Sequence, residues 1–235
     1  MTICFLLSAC ATKSPTPAGW TPRNPWGELS ATPGARLTYV ETSRTSLPQG
    51  TGVTYKLQAY GLPKEKTYSL WGRWIDGRTV VMYNSLHIDD SNRILRQNGA
   101  ELEFGLKHMF EGESMNYALI SDDKSNMAFI EVTPFPIKAK GTGSCRLSVK
   151  LVSPAGQIFL IEGGGFEPRQ EIHVVAQSNG ETGGFQLRGT VDGTFIHGIL
   201  PAIKGKTGGL STFTASDRSC SVTVRFHWGD AIKKK

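Results

Sequence analysis

Apolar and polar positions alternate along most of the chain. Leu37–Glu41, Val53–Ala59, Tyr68–Trp71, Thr79–Tyr83, Leu102–Phe104, Met115–Leu119 and Met127–Val132 are short runs rich in β-branched and aromatic residues, bounded by Gly, Pro, Asn or Asp. Alternation sends successive side chains to opposite faces, so each run predicts a strand. Only Arg93–His108 could hold helical turns, and Gly99 and Gly105 interrupt it. The pattern breaks at Pro134 and Pro136 and again at the Lys138–Gly143 stretch. A second series follows: Cys145–Leu151, Gln157–Ile161, Glu171–Val175, Phe185–Leu187, Thr194–Ile196, Ser211–Thr214 and Ser221–Phe226. In the first of these, Leu147, Val149 and Leu151 share one face and Arg146, Ser148 and Lys150 the other. That is the one-sided burial of an antiparallel sheet over a core.

The two series carry matching landmarks. Gly61 and Pro63 precede the strand ending in Leu70 and Trp71, while Gly165 and Pro168 precede the one ending in Val174 and Val175. Some way further on, Asp89-Asp90 lies ahead of Ile94-Leu95, and Asp192-Gly193 ahead of Phe195-Ile196. A duplication offset by about a hundred residues accounts for this. Each half then has about seven short strands, which suits a β-sandwich. The arrangement resembles the tandem immunoglobulin-like domains of bacterial surface proteins. The predicted fold is therefore all-β, with antiparallel sandwiches at 36–136 and 143–230.

Composition narrows the class. The 235 residues are 39% hydrophobic and 20% charged, with 27 Gly and 12 Pro. This is too apolar for wholesale disorder, and no Gly-X-Y period exists. The net charge of +6 is well short of a nucleic-acid-binding signature, and no nucleic-acid partner is expected. No apolar stretch reaches the roughly 20 residues of a membrane-spanning helix.

The amino terminus supplies an anchor instead. Ile3–Leu7 is apolar, Ser8 and Ala9 are small, and Cys10 gives way to a Pro-rich stretch with Pro15, Pro17, Pro22, Pro25 and Pro33. Leu7-Ser8-Ala9-Cys10 resembles the lipobox of bacterial lipoproteins. The resemblance implies a lipoprotein signal peptide over 1–10 that is cleaved before Cys10, which is acylated and becomes the mature first residue, and sorting by Ala11 to the outer membrane. No Lys or Arg precedes the apolar run, which is shorter than a usual signal core; a start assigned too late would explain both. Residues 11–35 read as an extended tether, with Trp20 and Trp26 expected to dock on the first domain.

In the exported compartment that this resemblance implies, Cys145 and Cys220 would form a disulfide worth on the order of 4 kcal/mol. It would close the pairing of the second domain's first and last strands. The other reading is two reduced, buried thiols.

Candidate chemistry is sparse. Gly205-Lys206-Thr207 ends like a phosphate loop but lacks the upstream glycine, which would fall at Leu200. Gly163-Gly164-Gly165 lacks Rossmann spacing and reads as a bulge or turn. Asp89-Asp90-Ser91-Asn92 puts Ile94 where a calcium loop requires Gly, so a hairpin turn is expected. His87, His108, His173, His197 and His227 form no zincin motif, and Gly112-Glu113-Ser114-Met115-Asn116 fails the nucleophile-elbow pattern at its last place. No catalytic residue, metal ligand or cofactor is expected. By strand parity Tyr68, Leu70 and Trp74 share a face opposite Trp71, and only a bulge at Gly72 would bring the two tryptophans together. Trp71, Trp74 and Tyr68 are the candidate ligand contacts. Residues 231–235 read as a frayed basic tail, with Lys233–Lys235 as its charge. The expected role is a non-enzymatic, lipid-anchored envelope protein contacting a protein or glycan partner, with carbohydrate recognition second and cell-wall hydrolysis third.

Overall fold

The computed structural model describes residues 26, 27, 29–48, 50–233 and 235. The lipobox, Cys10, Trp20 and most of the Pro-rich stretch lie outside the described residues. The described chain is all-β and forms two compact units. One holds the described residues within Pro22–Met109 and Ser114–Pro134, and Lys235; the other holds Phe110–Glu113 and the described residues within Phe135–Lys234.

The first unit has eight strands: β1 (Arg36–Leu47), β2 (Gly50–Tyr60), β3 (Tyr68–Arg73), β4 (Thr79–Ile88), β5 (Ile94–Leu95), β6 (Glu103–Lys107), β7 (Met115–Ser121) and β8 (Met127–Val132). They pair in the orders β1-β2-β6 and β5-β4-β3-β7-β8. The alternating residues Val53, Tyr55, Leu57 and Ala59 of β2 are buried, as are Tyr68 and Leu70 of β3 and Met115, Tyr117 and Leu119 of β7. Phe104 and Tyr117 meet with ring centroids 4.9 Å apart. Where helical turns were conceivable, the chain forms β5 and β6 instead.

The second unit also has eight: β9 (Ile137–Lys140), β10 (Arg146–Leu151), β11 (Phe159–Gly164), β12 (Glu171–Ser178), β13 (Glu181–Arg188), β14 (Phe195–Ile199), β15 (Gly208–Ser216) and β16 (Ser221–Gly229). The sheets are β14-β11-β10-β9 and β13-β12-β15-β16. Leu147, Val149, Leu151, Phe159 and Ile161 of the first sheet and Ile172, Val174, Phe213, Val224, Phe226 and Trp228 of the second are all buried. A disulfide joins Cys145 to Cys220, with Cα atoms 6.1 Å apart. These cysteines immediately precede β10 and β16, which belong to opposite sheets. The bond therefore staples one sheet to the other; it does not close a strand pair, because β9 occupies the edge beside β10.

The two units share one wiring. β6-β2-β1 corresponds to β14-β11-β10, and β4-β3-β7-β8 corresponds to β13-β12-β15-β16. This is the immunoglobulin partition, with strands A, B and E against C, F and G and an added strand beside C. Local details repeat as well. Gly61 (φ 68°) and Gly165 (φ 82°) each turn the chain out of the second strand of this common set. A Cβ on Gly61 would lie 2.5 Å from the Gly34 carbonyl oxygen, and one on Gly165 would strike that of Ser144. Both contacted residues stand just ahead of the strand that pairs with the one being left, so glycine is required twice for one reason.

Candidate functional site

In β3, residues with the parity of Tyr68 point inward and those with the parity of Trp71 outward. Tyr68 is fully buried, and its hydroxyl donates to the Pro63 carbonyl at 2.6 Å. Burial, with smaller pushes from Glu65 and Asp123, raises this phenol to about 12. Tyr68 is therefore a core residue and no ligand contact. Trp74 is also displaced from its expected place. β3 stops at Arg73, and Trp74 opens a turn in which its N–H donates to Arg78 and its carbonyl accepts from Gly77. Gly72 makes no bulge; the pairing irregularities fall between Tyr68 and Trp71. Of the expected trio, Trp71 alone lines a cleft on the outer face.

Trp71 faces outward and half-buried, in a row with Ala118 of β7 and Phe129 of β8. Trp26 stacks on Phe129 with ring centroids 6.1 Å apart and planes at 11°, as expected of a docked tether residue. Between Trp26, Gly27 and Leu29 on one side and Trp71 on the other a cleft of about 690 Å³ opens. Ile120 and Met127 contribute apolar lining, and Ser69, Arg73, Thr79, Asp122 and Lys124 add polar groups. The outer face of an antiparallel sheet is ordinarily polar. Here it is apolar at its centre, partly covered by a segment that precedes the first strand.

Other sequence candidates have structural partners. Asp89 forms the expected turn: one carboxylate oxygen accepts the N–H groups of Ser91 and Arg93, both at 2.9 Å, and the other accepts Arg93 Nε at 2.8 Å. Burial pushes this carboxyl up, but the Arg93 and Ser91 bonds outweigh it and hold it below the usual range. Gly163 and Gly164 lie within β11 and only Gly165 turns. His197 packs its ring on Phe185 at 4.7 Å beside a small cavity of about 60 Å³. Two serines line that cavity, and their hydroxyls donate to backbone carbonyls: Ser178 to Pro201 at 2.7 Å and Ser211 to Gln177 at 2.9 Å. Among the described residues no group of three or more His, Cys, Asp or Glu could hold a metal ion. At the carboxyl end, the Lys233 carbonyl accepts from the Glu111 N–H, and Lys235 donates its N–H to the Met109 carbonyl.

Sequence reasoning missed the role of β9, a four-residue strand whose Lys138 and Lys140 stand beside Arg146 on the outer face of the second unit. The alternation in Ile137–Lys140 was the available signal.

No family model and no curated protein matches the chain. Among solved structures, it is similar to a tetra-tandem repeat in the extending region of a large adhesion protein, with 13% identity and a TM-score of 0.28. The likeness covers 84% of this chain and 50% of that one, so the chain spans about half the length of that structure.

Proposed function

We propose that the chain is a non-enzymatic, lipid-anchored bacterial envelope protein presenting two immunoglobulin-like modules for contact with a protein or glycan partner. The observation that carries this reading is Trp71, half-buried in an apolar cleft on the outer face of a sheet. Open apolar surface rimmed by polar groups is the usual mark of an interaction site. A tryptophan in such a position supplies a large rigid face at low cost in side-chain entropy. The Leu7–Cys10 sequence supports the anchor, and Ala11 supports sorting to the outer membrane. A carbohydrate partner is the second reading, favoured by an indole beside the polar groups of Ser69, Thr79 and Asp122.

Two measurements test this. Radiolabelled palmitate should enter the wild type and not Cys10→Ser; equal labelling of both removes the anchor. Trp71→Ala should weaken binding to isolated envelope fractions by about tenfold or more, as for a buried aromatic contact, with an unchanged melting temperature. Equal affinity of the two proteins removes the cleft. Binding lost after periodate treatment of the fraction identifies a glycan, and binding lost after protease treatment identifies a protein.

A further inference from the structure

The outer face of the β9–β10–β11–β14 sheet carries a basic trough. Registers place Lys140 opposite Arg146 and, on the next strand, Arg146 opposite Gly164; one row along, Lys138 faces Ser148 and Ser148 faces Glu162. Lys138, Lys140 and Arg146 are exposed, and among the described residues none of the three has an ion pair. Like charges set directly opposite on neighbouring strands destabilise a sheet, so nothing in folding favours Arg146 against Lys140. Arg146 is also held flat. Gly164 is buried beneath its guanidinium, and a Cβ there would lie 3.1 Å from a guanidinium nitrogen. The one carboxylate in the trough, Glu162, is drawn toward Lys150 at 3.6 Å and the Ser148 hydroxyl at 3.4 Å. The recess has a volume of about 500 Å³ and is also lined by Thr194 and Ile196.

We propose that this trough binds an anionic polysaccharide, with Lys138, Lys140 and Arg146 pairing to successive acidic groups along one polymer chain. Charge complementarity carries the choice of a polyanion. Lys138 and Lys140 are two residues apart on one strand, hence about 7 Å apart, and Arg146 stands about 5 Å across from Lys140. Cations strung out in this way suit repeated charges better than a single anion. A planar bilayer does not enter a recess between side chains. No exposed aromatic ring lines the trough for bases to stack on, which disfavours single-stranded nucleic acid.

The test measures binding of the full chain to a galacturonate decamer by calorimetry, at about 50 and about 200 mM salt, a range over which screening of exposed charges increases strongly. Wild type should bind, more weakly at the higher salt, and neutral dextran should not. K140Q/R146Q should lose affinity about tenfold or more while melting no lower than wild type, since a repulsive pair is removed. Lys138→Gln alone should lose less than the pair. K204Q/K206Q, which removes equal charge elsewhere on the unit, and Trp71→Ala should both bind as wild type does, so the cleft and the trough fail or stand separately. An unchanged affinity in K140Q/R146Q, or an equal loss in K204Q/K206Q, overturns the site. So does binding of phosphatidylglycerol vesicles or a single-stranded oligonucleotide through these residues without binding of the galacturonate.

Discussion

At the scale of single residues, His197 ties stability of the second unit to pH. Burial against Phe185 lowers its pKa below the ordinary 6.5. The unfolded chain therefore takes up the proton first, so the stabilisation is complete above about 6.5 and is lost as pH falls below it. Urea midpoints of wild type should drop between pH 7.5 and pH 5.5, and His197→Gln should show a shallower drop; parallel losses would assign the effect elsewhere. Its neighbours are a phenyl ring and two serines whose hydroxyls donate to backbone carbonyls. Tyr68 and Trp71 show what alternation can and cannot tell. Parity put them on opposite faces, as observed. Both faces of Tyr68–Arg73 carry bulky groups, however, so which one points to the core depends on partner strands remote in sequence. Trp74 was misplaced because parity counting assumed that the strand continues past Arg73.

At the scale of elements, the strands were legible wherever one face is buried. β10 and β12 alternate cleanly in burial along their lengths; the sequence of β10 does the same, whereas in β12 Val175 is apolar yet exposed. β9 falls in what the sequence reads as a break, because its alternation runs over only four residues between Pro136 and Gly141. Its presence moves Cys145 from the unit's first strand to the approach of its second, which makes the disulfide a link between sheets. The loop it closes spans 75 residues, for which the chain-entropy account gives about 4 kcal/mol. A Cys145→Ala/Cys220→Ala variant should lose stability of that order in urea titration. A loss under about 1 kcal/mol would mean that the unfolded chain is already compact without the bond.

At the scale of the whole chain, the duplication was visible as a few landmark residues, and the structure gives them positions. Gly61 and Gly165 are the clearest pair, and they predict equal behaviour. Either glycine replaced by alanine meets a carbonyl and a positive φ together, and should cost about 1–3 kcal/mol. Gly99→Ala and Gly180→Ala, at φ of 79° and 87° with nothing within 4 Å, should cost less. Thermal melts of the four variants would separate collision from backbone strain; equal losses in all four would leave φ alone responsible.

The matching turns at 89–93 and 190–194 have a practical consequence. In each, the first residue's side chain accepts two backbone N–H groups, from the second and fourth residues after it: Asp89 from Ser91 and Arg93, Thr190 from Asp192 and Thr194. Asn92 and Gly193 then take the left-handed bend at φ of 62° and 64°. Five-residue cassettes with the same entry and exit can be exchanged between the halves, or replaced by a foreign epitope carrying Asp or Thr first and Asn or Gly fourth. The protein thus offers two ready grafting points for display engineering.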